Sequence, residues 1–155
     1  MTLIGKPLPP FSLSDDEGHT VTPASLLGRW TVIYAYPKDS TPGCTTEACD
    51  FRDNFARVQK LGAQIYGLSR DSLKSHQNFR TKQALPFPLL SDPDKQLLLP
   101  LGAFGMKVMY GKEMEGIIRS TFLVDPKGIL RHAWPKVRVK GHVDEVLEVL
   151  AQLKG

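Results

Sequence analysis

Residues 29–36, RWTVIYAY, are apolar or β-branched at nearly every position and stop at Pro37. A run without alternation, closed by a residue that lacks an N–H, predicts a strand buried on both faces. The period then changes. Phe51, Phe55, Val58 and Leu61 recur three or four residues apart, which predicts a helix that Gly62 stops. AQIYGLS, residues 63–69, predicts the next strand, residues 72–84 a weaker helix, and FPLLSD a short strand. The stretch that follows, up to Gly116, is rich in glycine and methionine and predicts a loop. IIRSTFLVD and ILRHAW flank DPKG, whose proline and glycine suit the tight turn of a hairpin. In PKVRVKGH, Lys136, Arg138 and Lys140 alternate with Val137 and Val139 as in a half-buried strand. Val143, Val146, Leu147, Leu150 and Leu153 mark a C-terminal amphipathic helix.

Strand, helix, strand, helix, strand, hairpin, helix is the order of an α/β layered domain, a central mixed sheet with helices on both faces. It is also the order of thioredoxin-like folds. No repeat or Gly/Ser linker interrupts the chain, so residues 1–155 read as one domain. A composition of 41% hydrophobic and 23% charged residues is ordinary for a globular protein. The excess of 20 Lys+Arg over 16 Asp+Glu, a formal +4, is mild and spread out. Lys136, Arg138 and Lys140 are its densest group and read as a solvated strand face, so no nucleic-acid partner is expected. No apolar run reaches the ~18 residues of a membrane span, and residues 1–11 hold no secretory apolar stretch. The expected location is the cytoplasm, where disulfide staples are rare and close thiols point instead to catalysis, redox sensing or metal binding.

Both cysteines of the chain, Cys44 and Cys49, lie five positions apart in STPGCTTEAC. Thr41 is a good N-cap and Pro42 fits the first helical position, which sets Cys44 three residues after the cap. A capping box puts Glu or Gln there; here a sulfur takes that place. A thiolate would face unpaired N–H groups and the positive end of the helix dipole, so Cys44 is placed to be a nucleophile. The plainer alternative is a small, inert, buried cysteine. A metal site is disfavoured: His19, His76, His132 and His142 are scattered singly, without paired zinc-type spacing, and read as ordinary surface or core residues. Residues five apart in an ideal helix have Cα atoms roughly 8–9 Å apart, whereas a disulfide needs less than ~7 Å. Pairing these thiols therefore requires the first turns of the helix to unwind.

The spelling PxxxTxxC, here Pro37, Thr41 and Cys44, resembles the active-site motif of the peroxiredoxins. YPKDSTPGCTTEACDFRD resembles the subgroup called bacterioferritin comigratory protein, or peroxiredoxin Q, as do GLSRDSLKSHQNF, LPFPLLSD, EGIIRSTFLVDPKG and KVRVKGH. Phe104 departs from the tryptophan expected there. The resemblance implies that Cys44 is the peroxidatic cysteine, which takes an oxygen from a hydroperoxide and becomes a sulfenic acid. It implies that Cys49 is the resolving cysteine, that thioredoxin or a similar dithiol protein reduces the disulfide, and that no cofactor or metal takes part. Resolution within one chain needs no partner subunit, so a monomer is expected.

The same resemblance places Arg119 beside Cys44, holding the thiolate and the peroxide; from the residues alone it would be an edge-strand charge. Thr41 would offer its hydroxyl to the peroxide, besides or instead of capping the helix. Pro37 would shield the sulfur from water, or merely end the strand. Glu47 could orient nearby groups, though a first-turn glutamate is more simply a partner of the helix dipole. Two other readings of the thiol pair stay open at this level: a redox-regulated protein-binding module and a protein-disulfide reductase.

Overall fold

The computed structural model describes residues 3–155; Met1 and Thr2, which the expected domain of residues 1–155 includes, lie outside the described residues. In chain order the elements are β1 (Leu13–Asp15), β2 (Thr20–Val21), a 3-10 helix (Pro23–Leu26), β3 (Trp30–Ala35), α1 (Pro42–Asp53), α2 (Phe55–Lys60), β4 (Ala63–Ser69), α3 (Leu73–Gln83), β5 (Leu89–Ser91), β6 (Phe104–Met109), β7 (Lys112–Ile117), β8 (Ser120–Val124), β9 (Leu130–Trp134) and α4 (His142–Lys154). A seven-stranded sheet runs β2-β1-β5-β4-β3-β8-β9. β3 pairs in parallel with β4, and β4 with β5, while the remaining ladders of this sheet are antiparallel. This is the mixed α/β sheet that the element order predicts.

β3 lies in the middle of the sheet, and all six of its residues are buried. Its alternate side chains serve two cores. Trp30, Val32 and Tyr34 pack with Ala48 and Phe51 of α1, Val58 of α2, Phe79 of α3 and Val146, Leu147 and Leu150 of α4. Ile33 and Ala35 point the other way, to Leu26 of the 3-10 helix and to Leu97, Leu98 and Ala103 from a turn-rich segment. A strand apolar on both faces is the physical reason why residues 29–36 show no alternation.

Four parts differ from the sequence expectation. The helix predicted through Phe51, Phe55, Val58 and Leu61 is broken at Asn54 (φ −108°, ψ 12°), whose side-chain amide donates to the Asp50 carbonyl at 2.8 Å. An asparagine whose side chain bonds a carbonyl one turn earlier competes with the helical ladder, and the apolar stripe runs on across the break. The segment expected to be a loop up to Gly116 contains the hairpin β6–β7, which forms a small sheet of its own. Its two-residue turn is Tyr110–Gly111, both at positive φ (54° and 77°), as a primed hairpin turn requires. Tyrosine in the first turn position hides that signal, and the exposure of Met106, Val108 and Met114 leaves apolar residues where a half-buried strand would bury them. Residues 135–141 are irregular rather than a strand. Pro135 ends β9, yet Val137 and Val139 remain half-buried between exposed Lys136, Arg138 and Lys140, so the alternation records burial without a ladder. The short hairpin β1–β2 at the sheet edge is an addition to the predicted elements.

Candidate active site

The loop between β3 and α1 is pinned from below. Asp39 is buried, accepts from the Tyr36 hydroxyl at 2.5 Å and the Ser75 hydroxyl at 2.8 Å, and lies 2.7 Å from His76 Nδ1. His76 Nε2 lies 3.0 Å from the Leu90 carbonyl, and the Asp39 N–H donates to Asp71 at 3.0 Å. Asp39, Asp71 and His76 bring potential metal-ligand atoms within 4.8 Å of one another. Those atoms already bond to each other and to Ser69, Ser75 and Tyr36, so the cluster serves as a hydrogen-bonded post. Above the post, Ser40 sits in the left-handed region (φ 62°) and turns the chain into the helix.

Thr41 is the N-cap and Pro42 the first helical residue, as expected. The Thr41 hydroxyl, however, donates to the Lys38 carbonyl at 2.8 Å and makes no side-chain cap bond. The first-turn N–H groups therefore lack the acceptor that a capping hydroxyl ordinarily supplies. Cys44 occupies the third helical position with 1% of its surface exposed. Pro37, just beyond β3, and Thr41 are half-buried.

Arg119 lies outside any strand, between the end of β7 and the start of β8. Its backbone is held on both sides: Ile118 N–H donates to Ala103 O at 2.7 Å, and Val137 N–H donates to Arg119 O at 2.9 Å. Its guanidinium forks. Nη2 donates to Cys44 Sγ at 3.3 Å, and Nη1 donates to Glu47 Oε1 at 2.7 Å. The edge-strand reading of this arginine is thus replaced by a site beside the sulfur.

Glu47 is not a first-turn partner of the helix dipole: it sits one turn beyond Cys44 and is fully buried. Residues three apart share a helix face, so Cys44 and Glu47 meet one guanidinium together. Burial raises the Glu47 pKa to about 7, with Arg119 pulling the other way. Burial also opposes the Arg119 charge, but Glu47 and Cys44 outweigh it and the Arg119 pKa is raised. Lys107 is lowered by burial and then by Arg119. His142, which shares a 2.8 Å hydrogen bond with the Thr121 hydroxyl, is lowered to about 4 by burial, with a further lowering contribution from Arg119. Arg119 meets the sulfur directly, at 3.3 Å.

The sequence reading missed one residue. A Cβ built on Gly43 would lie 3.1 Å from Arg119 Nη2, tighter than ordinary van der Waals contact. The guanidinium lies over the bare backbone there, and the signal was the glycine itself in STPGC. Beneath the helix, Tyr34 stacks on Phe51 and Tyr36 with ring centroids 4.7 and 5.4 Å apart. Burial, then the Glu47 and Cys44 charges, raise the Tyr34 pKa well above its ordinary value.

Cys49 is half-buried and does not share the guanidinium. Its Sγ lies 3.5 Å from Gln83 Oε1, at the end of α3. Both cysteines are unbridged. The structure thus gathers Cys44, Arg119 and Glu47, turns the Thr41 hydroxyl to the Lys38 carbonyl, and holds Cys49 against a different helix. Such an arrangement can stabilise an anionic sulfur and the negative charge that develops when it attacks an O–O bond.

Comparison with known proteins agrees. The AhpC/TSA family matches residues 4–133. Peroxiredoxin Bcp of Xanthomonas campestris is 52% identical over 141 residues, covering 91% of this chain and 87% of that protein. A cysteine-to-serine mutant of Xylella fastidiosa PrxQ superposes with a TM-score of 0.93 at 36% identity, covering 100% of this chain and 99% of the other. A Xanthomonas campestris bacterioferritin comigratory protein, solved in trapped intermediate and ligand complexes bearing on alkyl peroxide reduction, superposes with a TM-score of 0.89 at 48% identity, covering 94% and 92%.

Proposed function

We propose a division of labour at the thiol site of a chain that belongs to the AhpC/TSA family, its relatives being the Bcp and PrxQ peroxiredoxins. The chain is a thiol peroxidase, and a hydroperoxide is its substrate. In our reading the Cys44 thiolate attacks the terminal oxygen of the hydroperoxide. An S–O bond forms, the O–O bond breaks, and the peroxide's own proton leaves with the second oxygen as water or alcohol. Cys44 is left as a sulfenate, which takes a proton from solvent to become the sulfenic acid. The observation that carries this is the forked Arg119, 3.3 Å from the sulfur through one nitrogen and 2.7 Å from Glu47 through the other. One arm meets the reacting atoms and the other fixes the plane of the fork, so the donor is aimed before charge develops. Glu47 acts through Arg119 and is a positioning residue.

Thr41 can turn a lone pair or its proton to the bound peroxide, because a hydroxyl both donates and accepts. Pro37 narrows access of water to the sulfur. Cys49 condenses with the sulfenic acid; its Cα spacing on an intact helix, roughly 8–9 Å, requires α1 to unwind first. We extend the reading to reduction of that disulfide by thioredoxin or a similar dithiol protein, to a monomer, and to a cytoplasmic setting. Support for these three comes from the sequence, which sets two close thiols in one helix, a pattern of catalytic or redox-sensing pairs in reducing compartments.

The test is peroxide consumption by the purified protein with thioredoxin, its reductase and NADPH. Turnover that Cys44→Ser abolishes is expected. Absence of peroxide loss would hand the thiols to a docking switch, and reduction of protein disulfides without peroxide would make them a reductase.

A further inference from the structure

α1 is a helix with a joint at each end. It begins after Ser40, in the left-handed region, and ends at Asn54, whose backbone is not helical. The first half is tied to the peroxidatic site through Arg119 and Glu47. The second half is tied to one residue of another helix. Gln83, the last residue of α3, accepts from Cys49 Sγ through its side chain at 3.5 Å and from Arg52 Nη1 through its carbonyl at 2.8 Å. The Arg52 bond holds the Gln83 backbone against α1, which brings its side-chain amide to the Cys49 thiol. Ala84, left-handed at φ 51°, then turns the chain away.

We propose that Gln83 is a latch on the second chemical step: by holding the Cys49 thiol in its helical place, it sets how fast the Cys44 sulfenic acid is captured. The proposal rests on Cys49 being the resolving thiol. In that step the Cys49 sulfur gives up its proton and bonds to the Cys44 sulfur, the S–O bond breaks, and the departing hydroxide takes a proton to leave as water. No outside oxidant or reductant is needed. The step cannot start until the Cys49 end of α1 leaves α3, so the contact with Gln83 must break first. Gln83 makes no hydrogen bond to the groups of the first step, where Arg119 bridges Cys44 Sγ and Glu47. A latch that delays resolution lengthens the life of the sulfenic acid and exposes it to a second peroxide.

The experiment uses the full chain as wild type, Gln83→Ala and Gln83→Glu, reduced and then mixed with hydrogen peroxide. Rapid quenching and mass measurement separate sulfenic acid, disulfide and sulfinic acid. Gln83→Ala should leave the first oxidation within about twofold of wild type. It should speed disulfide formation about threefold to tenfold, the worth of one net hydrogen bond. The peroxide concentration that over-oxidises half of Cys44 should rise by the same factor. Gln83→Glu keeps an acceptor and adds a negative charge near the thiol, so it should resolve no faster than wild type. A side chain that only supported the helix end would lower stability without shifting the ratio of resolution to over-oxidation. Unchanged or slower disulfide formation in Gln83→Ala would overturn the latch and leave Cys49 as the resolving thiol. A wild-type protein that never loses the two hydrogens of a disulfide would overturn both.

Discussion

Glu47 and Arg119 form a 2.7 Å ion pair in which the carboxylate is fully buried, and among the described residues its second oxygen has no hydrogen-bond partner. A buried charge engaged on one side only is costly to keep. The arrangement makes sense for a carboxylate whose task is to hold a guanidinium in plane, with Cys44 taking the other arm.

The stability of the fold should fall as pH rises through the Glu47 range. Its pKa is about 7 in the folded chain against an ordinary 4.5, so the folded state holds the proton more tightly. That contribution is complete below about pH 4.5 and is lost by about pH 7 or just above. From those two values it is on the order of 3 kcal/mol, other groups aside. Denaturant titrations at pH 5 and pH 8 should show wild type losing stability relative to Glu47→Gln, which cannot ionise. Parallel curves for the two proteins would contradict it.

Arg119→Met should slow the first oxidation by about a hundredfold or more, the scale of losing an aimed donor to developing charge. The fold should survive, because Glu47, left without its cation, takes up a proton instead of staying charged. Arg119→Lys should recover little, since one ammonium cannot fork between sulfur and carboxylate. Stopped-flow oxidation of the reduced variants measures this, and a lysine variant at wild-type speed would remove the need for a fork.

Gly43→Ala should separate stability from rate. Alanine in a helix is favoured over glycine by up to about 1 kcal/mol, yet its Cβ would lie 3.1 Å from Arg119 Nη2 and push the guanidinium aside. The expected outcome is unchanged or higher thermal stability with a first oxidation slowed about tenfold. A variant that keeps full rate would show that the guanidinium has room to move.

Cys49→Ser should keep the first step near wild type and lose turnover with thioredoxin, while Cys44 over-oxidises at high peroxide. In the wild type, the disulfide form should lose amide protection over residues 43–53, with the loss ending at Asn54, where α1 and α2 are already divided. α2 and α4 should stay protected. Hydrogen exchange on reduced and oxidised protein decides it, and equal protection of residues 43–53 in both would rule out the cycle.

The parts of the fold that could be read from the sequence are those in which burial follows secondary structure. β4 spans Ala63–Ser69 as its pattern predicts, and Ser72 caps α3 by accepting from the Ser75 N–H. Legibility failed where the two part company. β7 is exposed along most of its length before the buried Ile117, and Met106 and Val108 of β6 are exposed, whereas Val137 and Val139 are half-buried without a strand. At the site, Cys44 could be read from its helix start because capping is local chemistry. Arg119 needed the family resemblance: it is 75 residues away, and nothing near it in sequence names its partner. The positioning role of Glu47 and the closeness of Gly43 to Arg119 are properties of that long-range contact, so no local pattern could contain them.

The hydrogen-bonded post at Asp39 bears on how the enzyme resets itself. Asp39 is fastened to Tyr36, Asp71, Ser75 and His76, none of which belongs to α1. If α1 unwinds as the proposed cycle requires, the loop that leads into it therefore keeps its anchor, and its trailing end joins α2, whose Val58 is buried in the core. The unwound stretch is a short loop anchored at both ends, and the chain entropy of such a loop grows only as the logarithm of its length. Closing a loop of about ten residues takes ~10–100 ns, and growing a short helix takes about a microsecond or less. Once a reductant has cleaved the disulfide, the helix re-forms far faster than any protein partner can depart or return. In the proposed cycle the waiting time then lies in the encounter with the reductant, and the enzyme is ready for peroxide as soon as its thiols are.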